Sequence, residues 1–113
     1  MEPRLASSVL AGSLLRLAQS QGGFGAVLAK GDATSGALTV ILVERGQKVR
    51  ILERMVQPDG NYLWQEVGIG AAANADDLNK FLERRRRFDP DMWILELDIA
   101  SAERFAAEMN ASN

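Results

Sequence analysis

The amino-acid sequence predicts an α+β protein, in which helices pack on a four- or five-stranded, mainly antiparallel sheet in the order α-β-β-β-β-α-β-α. Two observations support this class: three segments have apolar residues at helical spacing, and five segments rich in β-branched or aromatic residues are bounded by turn formers. With 113 residues, 47% hydrophobic and 25% charged, we expect a single domain over residues 1–113 with an ordered core at about residues 5–109.

The first element is predicted to be a helix over roughly residues 8–20. Its apolar residues at helical spacing are Val9, Leu10, Leu14 and Leu17. Ser7 or Ser8 is expected to cap its start, and Gly22-Gly23 to end it. A strand is the alternative, because the apolar run is short and its glycine costs a helix about 1 kcal/mol relative to alanine.

Four strands are predicted to follow as an antiparallel meander. Residues 24–30 and 37–44 flank a cluster of turn formers at residues 31–36, so we expect them to pair as a hairpin. The second of these strands is apolar on both faces and should lie centrally, with a helix on each side. Residues 48–56 alternate charged and apolar groups, which predicts one solvated face, and residues 62–69 form the fourth strand.

A second helix is predicted between Asn74, its expected N-cap, and Asp89-Pro90, which ends it. Acidic residues in its first turn and arginines in its last turn match the signs of the helix macrodipole. Its buried stripe is expected to consist of Leu78, Phe81, Leu82 and the stem of Arg85.

The last strand is predicted over residues 92–99, with apolar and acidic residues on opposite faces. The apolar face would hold Trp93, Leu95, Leu97 and Ile99, and the other face Glu96 and Asp98. A final helix over residues 101–109 is expected to bury Phe105 and Met109.

Composition excludes several kinds of chemistry. The chain has no cysteine and no histidine, which removes disulfides, thiol nucleophiles, thiolate metal sites and the commonest general base. We therefore expect no metal and no cofactor. Because the sequence has no recognisable set of catalytic residues, it favours a protein that is not an enzyme. A net charge of −2 argues against nucleic acid as a partner. No apolar run reaches the ~20 residues of a membrane span, so we expect a cytoplasmic protein without a membrane segment.

The most distinctive stretch is Arg87-Phe88-Asp89-Pro90-Asp91-Met92-Trp93, followed by alternating apolar and acidic residues. Together with Gly31-Asp32 and Gly36-Ala37 in the earlier loop, it resembles a family of short alphaproteobacterial proteins catalogued as domain of unknown function 1491. The resemblance covers roughly residues 5–98 and departs from the family pattern near the start, where leucines replace an aromatic, arginine-rich segment. It implies the family's fold and a bacterial cytoplasmic origin, but no activity.

Candidate binding residues surround the end of the second helix: Arg84, Arg85, Arg86, Arg87, Asp89 and Asp91. The arginines, with the loop at residues 31–36, would suit a phosphate or another anion. The structural alternative is a helix end that favours cations, with four side chains about 100° apart and therefore in no single patch.

The two aspartates also have two interpretations. They would pair for acid–base work or hold a cation, although two carboxylates are too few for a closed cation site. Alternatively, Asp89 would accept backbone hydrogen bonds at the turn and Asp91 would bridge to an arginine, with Phe88 and Trp93 as core anchors.

Two functions fit these observations. The first is a noncatalytic protein-interaction or regulatory module, which binds another protein or itself by strand addition at a sheet edge or through an apolar helix face. A homodimer is a special case, because the first predicted helix has apolar groups on more than one side. The alternative is a binding protein or enzyme for an anionic or phosphorylated small molecule.

Overall fold

Five strands and three helices make up the computed structural model, which describes residues 5–68, 70 and 74–111 apart from the side chains of Lys48 and Val49. In chain order the elements are α1 (Ser7–Ser20), β1 (Phe24–Ala29), β2 (Leu38–Glu44), β3 (Gln47–Val56), β4 (Tyr62–Glu66), α2 (Ala75–Phe88), β5 (Trp93–Asp98) and α3 (Ala102–Ala111). The α+β class and the predicted order of elements are confirmed. Ile69, the predicted end of the fourth strand, lies outside the described residues.

The strands form one mixed sheet in the spatial order β1-β5-β2-β3-β4. β5 lies between β1 and β2, antiparallel to β1 and parallel to β2. The predicted hairpin of the first two strands is therefore wrong, and only β2, β3 and β4 form the expected meander. The reason is burial: β2, which is apolar on both faces, and β5, whose residues are all buried or half-buried, take the centre, whereas β1 is mostly exposed and lies at the edge.

The sheet separates two apolar cores. On one face α1 and α3 pack Leu14 and Phe105 against alternate residues of β2 and β5. On the other face α2 packs Leu78 against Ile41 and Ile94. Every residue from 38 to 43 is buried, so the central position of β2 between helices is confirmed.

The start of α1 differs from the prediction. The segment is a helix, but its N-cap is Ala6 and no side chain caps it. Ser7 is buried, and its hydroxyl donates a hydrogen bond to the carbonyl of Gly36 at 2.6 Å. The serine is therefore used to attach the helix to a loop distant in sequence.

β3 also differs from the prediction, because the middle of the strand has no solvated face. Ile51, Leu52 and Glu53 are all buried. Since the strand lies inside the sheet between β2 and β4, helices cover both of its faces at this point. A charged residue is buried there only because it has partners of its own.

The remaining elements follow the sequence predictions. The side chain of Asn74 accepts hydrogen bonds from the backbone N–H groups of Asp76 and Asp77, which confirms the cap of α2. The helix ends at Phe88, its stripe of Leu78, Phe81 and Leu82 packs on the sheet, and the apolar face of β5 joins the core of α1 and α3. α3 buries Phe105 and Met109, as predicted.

Candidate functional site

The loop at residues 31–36 and the turn before β5 interlock. The backbone N–H of Asp32 donates to the carbonyl of Asp91 at 2.9 Å, and the indole N–H of Trp93 donates to the carbonyl of Asp32 at 2.7 Å. A Cβ atom on Gly31 or Gly36 would lie 2.1 or 2.3 Å from the Asp91 carbonyl oxygen, so only glycine fits at either position. The two motifs of the sequence thus form one structural junction.

The same loop receives the start of α1. The backbone N–H groups of Ser7 and Ser8 donate to the carbonyls of Thr34 and Ala33 at 3.2 and 2.9 Å. These bonds satisfy donors that the first turn of a helix leaves unpaired. The loop therefore presents its carbonyl groups to the helix, and this use needs no ligand.

Amide groups of the loop are also occupied. The carboxylate of Asp32 accepts hydrogen bonds from the N–H groups of Thr34 and Ser35 and from the Ser35 hydroxyl. These bonds, led by the one from the Ser35 N–H, hold the pKa of Asp32 below its ordinary value. The loop forms a nest for an anion, but Asp32 itself supplies that anion.

The four predicted arginines do not form one patch. Arg85 pairs with Glu53 on one side of α2, whereas Arg86 donates from Nη2 to the carbonyl of Pro90 at 2.9 Å. Arg84 and Arg87 are exposed. Successive helix residues point in different directions, so the cluster in sequence is divided among separate surfaces.

The acidic and aromatic residues of the motif have separate roles. Asp89 Oδ1 accepts the backbone N–H of Asp91 at 3.2 Å, as predicted. The expected bridge from Asp91 to an arginine is wrong, since its carboxylate makes no ion pair with any described arginine. Trp93 is a core anchor, with 5% exposure, but Phe88 is 83% exposed because it ends α2 beyond the sheet.

A cleft opens where β2 and β5 begin. Two adjoining cavities of about 540 and 370 Å³ share the residues Ala37, Leu38, Arg54 and Asp89. Glu53 lines the smaller of the two cavities; its carboxylate accepts a hydrogen bond from the Thr39 hydroxyl at 3.0 Å and pairs with Arg85. The guanidinium of Arg54 lies 4.1 Å from the ring centroid of Tyr62. The negative charge of Glu53 is thus balanced within the protein by Arg85.

A second concavity, the β1–α2 groove, lies between the edge strand and the second helix. Its volume is about 560 Å³. Apolar residues from three elements line it, namely Leu28 and Ala29 of β1, Leu82 of α2 and Ile94 of β5. Arg86 and Arg87, two of the predicted site residues, also line this groove, and they outnumber the single acidic residue there, Glu83. It combines an apolar surface with positive charge.

The two edges of the sheet are treated differently. At β4, the N–H of Trp64 donates to Asn110 Oδ1 at 2.7 Å, and Asn110 Nδ2 donates to the Trp64 carbonyl at 3.3 Å. β1 has no charged residue, and no described residue other than those of β5 hydrogen-bonds to its backbone. Phe24 and Leu28 are 65% and 50% exposed there.

Sequence reasoning missed this edge, because it predicted that β1 pairs with β2 in a hairpin. The available signal was the six-residue run Phe24–Ala29, which lacks charge and proline. Sequence reasoning also missed Glu53 and Asn110, whose roles depend on residues far away in the chain. Nothing in their local sequence marks them.

Two negative observations hold for the described ranges. No three acidic side chains in them are close enough together to hold a metal ion. No helix in them has the length and apolar character needed to cross a bilayer.

Comparison with known proteins identifies relatives of the whole fold. The family model DUF1491, a protein of unknown function, matches residues 5–107. The crystal structure of a DUF1491 family protein from Caulobacter crescentus is 30% identical, with a TM-score of 0.78 over 90% of this chain and 94% of that chain. An NMR structure of a DUF1491 family protein from the same organism gives the same identity and TM-score, over 92% of this chain and 94% of that chain.

A more distant relative has the same architecture. The solution structure of a protein from A. tumefaciens is 25% identical, with a TM-score of 0.72 over 91% of this chain and 92% of that chain. No curated protein matches the chain significantly. The interlocked glycine loop and aspartate–tryptophan turn thus lie within the segment that the family model matches, and the chain belongs to the DUF1491 family.

Proposed function

We propose that this chain is a noncatalytic protein-interaction module, which takes up an extended segment of a protein as an added strand on β1. The observation that supports it is the contrast between the sheet edges: Asn110 caps β4, while β1 is uncharged and uncapped. We further propose a bacterial, cytoplasmic setting, supported by the bacterial relatives and the lack of cysteine.

Strand addition suits β1 for a physical reason. An edge strand exposes N–H and C=O groups that pair readily with another extended chain. Proteins usually block such edges with charged side chains, prolines, β-bulges or a covering element. Phe24–Ala29 has no charged residue and no proline, and the irregularity in its register between Val27 and Ala29 leaves residues 24–27 as a regular edge. Backbone pairing would supply much of the affinity, and pockets beside the edge would supply selectivity.

The β1–α2 groove supplies such a pocket. A strand added to β1 would place alternate side chains on the face of the sheet that α2 covers. There they would meet the apolar surface of Leu28 and Leu82 and the charges of Arg86 and Arg87. Apolar surface and charge in one groove are typical of a peptide-binding site with side-chain selectivity.

The test compares matched lysine substitutions on the two edges. Val27 of β1 is 43% exposed and Leu63 of β4 is 41% exposed, so a lysine is accommodated at either site without burial. The tagged full chain, Val27→Lys and Leu63→Lys are used to capture proteins from native extract, including untagged copies of the chain. We expect Val27→Lys to lose its captured protein and Leu63→Lys to retain it, with unchanged far-UV circular dichroism for both. Equal retention by both variants contradicts the proposal.

A small anionic ligand is the second candidate function, favoured by the presence of Arg86 and Arg87 in one groove. It has less support, because Arg85 is paired with Glu53 and the amides of the glycine loop bind Asp32. Thermal-shift measurements with inorganic phosphate test it. Stabilisation that disappears in an Arg86→Gln, Arg87→Gln variant favours this function over strand addition.

A further inference from the structure

We infer that the segment added to β1 is the β1 strand of a second copy of this chain, paired antiparallel about a two-fold axis, with Phe24 of each copy in the β1–α2 groove of the other. This inference rests on the proposed function of β1 as the interaction edge. Three features of the described residues favour a second copy: the position of Phe24, the position of the groove and the distribution of charge.

Phe24 lies on the face of the sheet that α2 occupies. It is directly opposite Asp98 in the β1–β5 register, and side chains of opposed residues point to the same face. Leu95 and Leu97 belong to the core of α1 and α3, so Asp98, one position along from Leu97, points towards the α2 side. Phe24 is nevertheless 65% exposed, an apolar side chain with little cover within its own copy.

The groove lies at the opposite end of the same strand. Leu28 and Ala29, at the end of β1, line it, whereas Phe24 is the first residue of the strand. Antiparallel pairing of two β1 strands sets the start of one beside the end of the other. A two-fold axis through the strand pair therefore brings each Phe24 to the groove of the other copy.

Charge is complementary in the same arrangement. The groove is net positive, because Arg86 and Arg87 outnumber Glu83 in it, and Glu96 and Asp98 lie on the same face of the sheet beside Phe24. Neither the two arginines nor Glu96 and Asp98 form an ion pair with a described residue. In the paired sheet, β5 of the second copy lies about 10 Å from β1, two strand spacings away, so its acidic residues face the arginines.

These features favour a second copy over a foreign peptide. A foreign strand would fill the edge, but the acidic residues of this protein lie on β5, one strand behind Phe24. A second copy supplies an apolar side chain for the groove and acidic residues for the arginines from one rigid surface. Because the contact is isologous, each complementary pair occurs twice.

The first measurement is the mass of the full chain by light scattering over a concentration series into the high micromolar range. We expect a monomer–dimer equilibrium. Phe24→Ser should raise the dissociation constant of the dimer by about tenfold or more, because it removes an aromatic anchor that the dimer buries. The control is Phe88→Ser, which alters a phenylalanine that is 83% exposed but does not line the β1–α2 groove, and its dimerisation should be unchanged. Equal effects of the two substitutions overturn the inference.

A charge exchange tests the geometry directly. An Arg86→Glu, Arg87→Glu variant and a Glu96→Arg, Asp98→Arg variant should each dimerise more weakly than the wild type, because like charges face each other. Mixed together, the two variants restore opposite charges at both contacts, so we expect a heterodimer with close to wild-type affinity. Dimerisation of both variants alone at wild-type strength, or no gain on mixing, overturns the inference.

The outcomes separate this inference from the proposed function. A wild-type chain that stays monomeric at high micromolar concentration, while capture of a different protein still depends on Val27, overturns the second copy as occupant and leaves β1 as the interaction edge. If neither dimerisation nor capture responds to Val27→Lys, both fail.

Discussion

The two edges of the sheet, β1 and β4, contrast in how their backbones are protected. At β4 the amide of Asn110 bonds both the N–H and the carbonyl of Trp64, much as a neighbouring strand would. At β1 the outer backbone has no such partner among the described residues, and Phe24 and Leu28 are exposed beside it. When one edge of a sheet is capped and the other is apolar and open, an added strand is expected to pair with the open edge.

The contrast shows why exposure alone does not identify an interaction site. Leu63 on β4 is 41% exposed, nearly as much as Val27 on β1 at 43%. The edges differ instead in hydrogen-bonding capacity and in the groove that only β1 shares with α2. A site of strand addition needs free backbone groups as well as apolar side chains.

The largest expected effect is a loss of stability when the junction between the loop at residues 31–36 and the turn before β5 is disrupted. This junction holds β5 in place between β1 and β2. Gly31→Ala would place a Cβ atom 2.1 Å from the Asp91 carbonyl oxygen, just before β5 begins. We expect a loss of about 3 kcal/mol in the free energy of unfolding, because backbone atoms must move to relieve the overlap. Urea denaturation measures it, with Ala33→Ser in the exposed part of the same loop as a control of little effect. A loss below about 1 kcal/mol would contradict the interlocked junction.

The next prediction removes the cap of β4. Asn110→Ala deletes two hydrogen bonds to Trp64, each worth about 0.5–1.5 kcal/mol, so we expect a stability loss of about 1–2 kcal/mol. The uncovered edge should also allow species larger than a dimer, visible by light scattering. Gln65→Ala, an exposed neighbour on the same strand, serves as the control. An unchanged mass for Asn110→Ala would show that the amide bonds stabilise α3 without protecting the edge.

A smaller effect distinguishes the edges without mutation. The N–H of Trp64 is bonded to Asn110 within one copy, so its hydrogen exchange should be slow at every protein concentration. The outward N–H groups of β1 should exchange fast in dilute solution and about tenfold more slowly once chains associate. Exchange in β1 that does not depend on concentration would argue against pairing there.

The smallest expected effect is a pH-dependent change in stability from Asp32, whose side chain belongs to neither edge strand. Loop bonds hold the pKa of Asp32 below its ordinary value of 3.8, so its ionised form stabilises the fold. This contribution is present above pH 3.8 and is lost as the pH falls through the lower folded pKa. Asp32→Asn should therefore be slightly less stable than the wild type at neutral pH, with the difference shrinking in acid and no change in mass. A difference that grows in acid would contradict the loop geometry.

Much of the fold followed from local patterns in the sequence. The cap at Asn74, the arginine-rich end of α2 and the alternation of β5 depend on neighbours within a few residues, and the structure bears out each of them. The central position of β2 also followed, since a strand that is apolar on both faces must be covered on both.

The candidate site was only partly accessible from sequence. The arginine cluster and the aspartates were found from the sequence. In the structure, however, Arg85 and Arg86 lie on different sides of α2, and Arg85 pairs with Glu53 whereas Arg86 lines the β1–α2 groove. Phe88 was misplaced, because a phenylalanine in a motif is expected inside, whereas the end of α2 carries it beyond the sheet. Whether a residue in a motif is buried depends on where its element stops relative to the other layers.

By itself, the sequence determined the elements, their order along the chain and the family, because each depends on periodicity, caps and a short motif. Only the tertiary structure decided which strands are neighbours, and therefore that β1 is an open edge and β4 a closed one. Strand pairing joins residues far apart in the chain, such as Trp64 and Asn110, and is decided by competition among strands for burial.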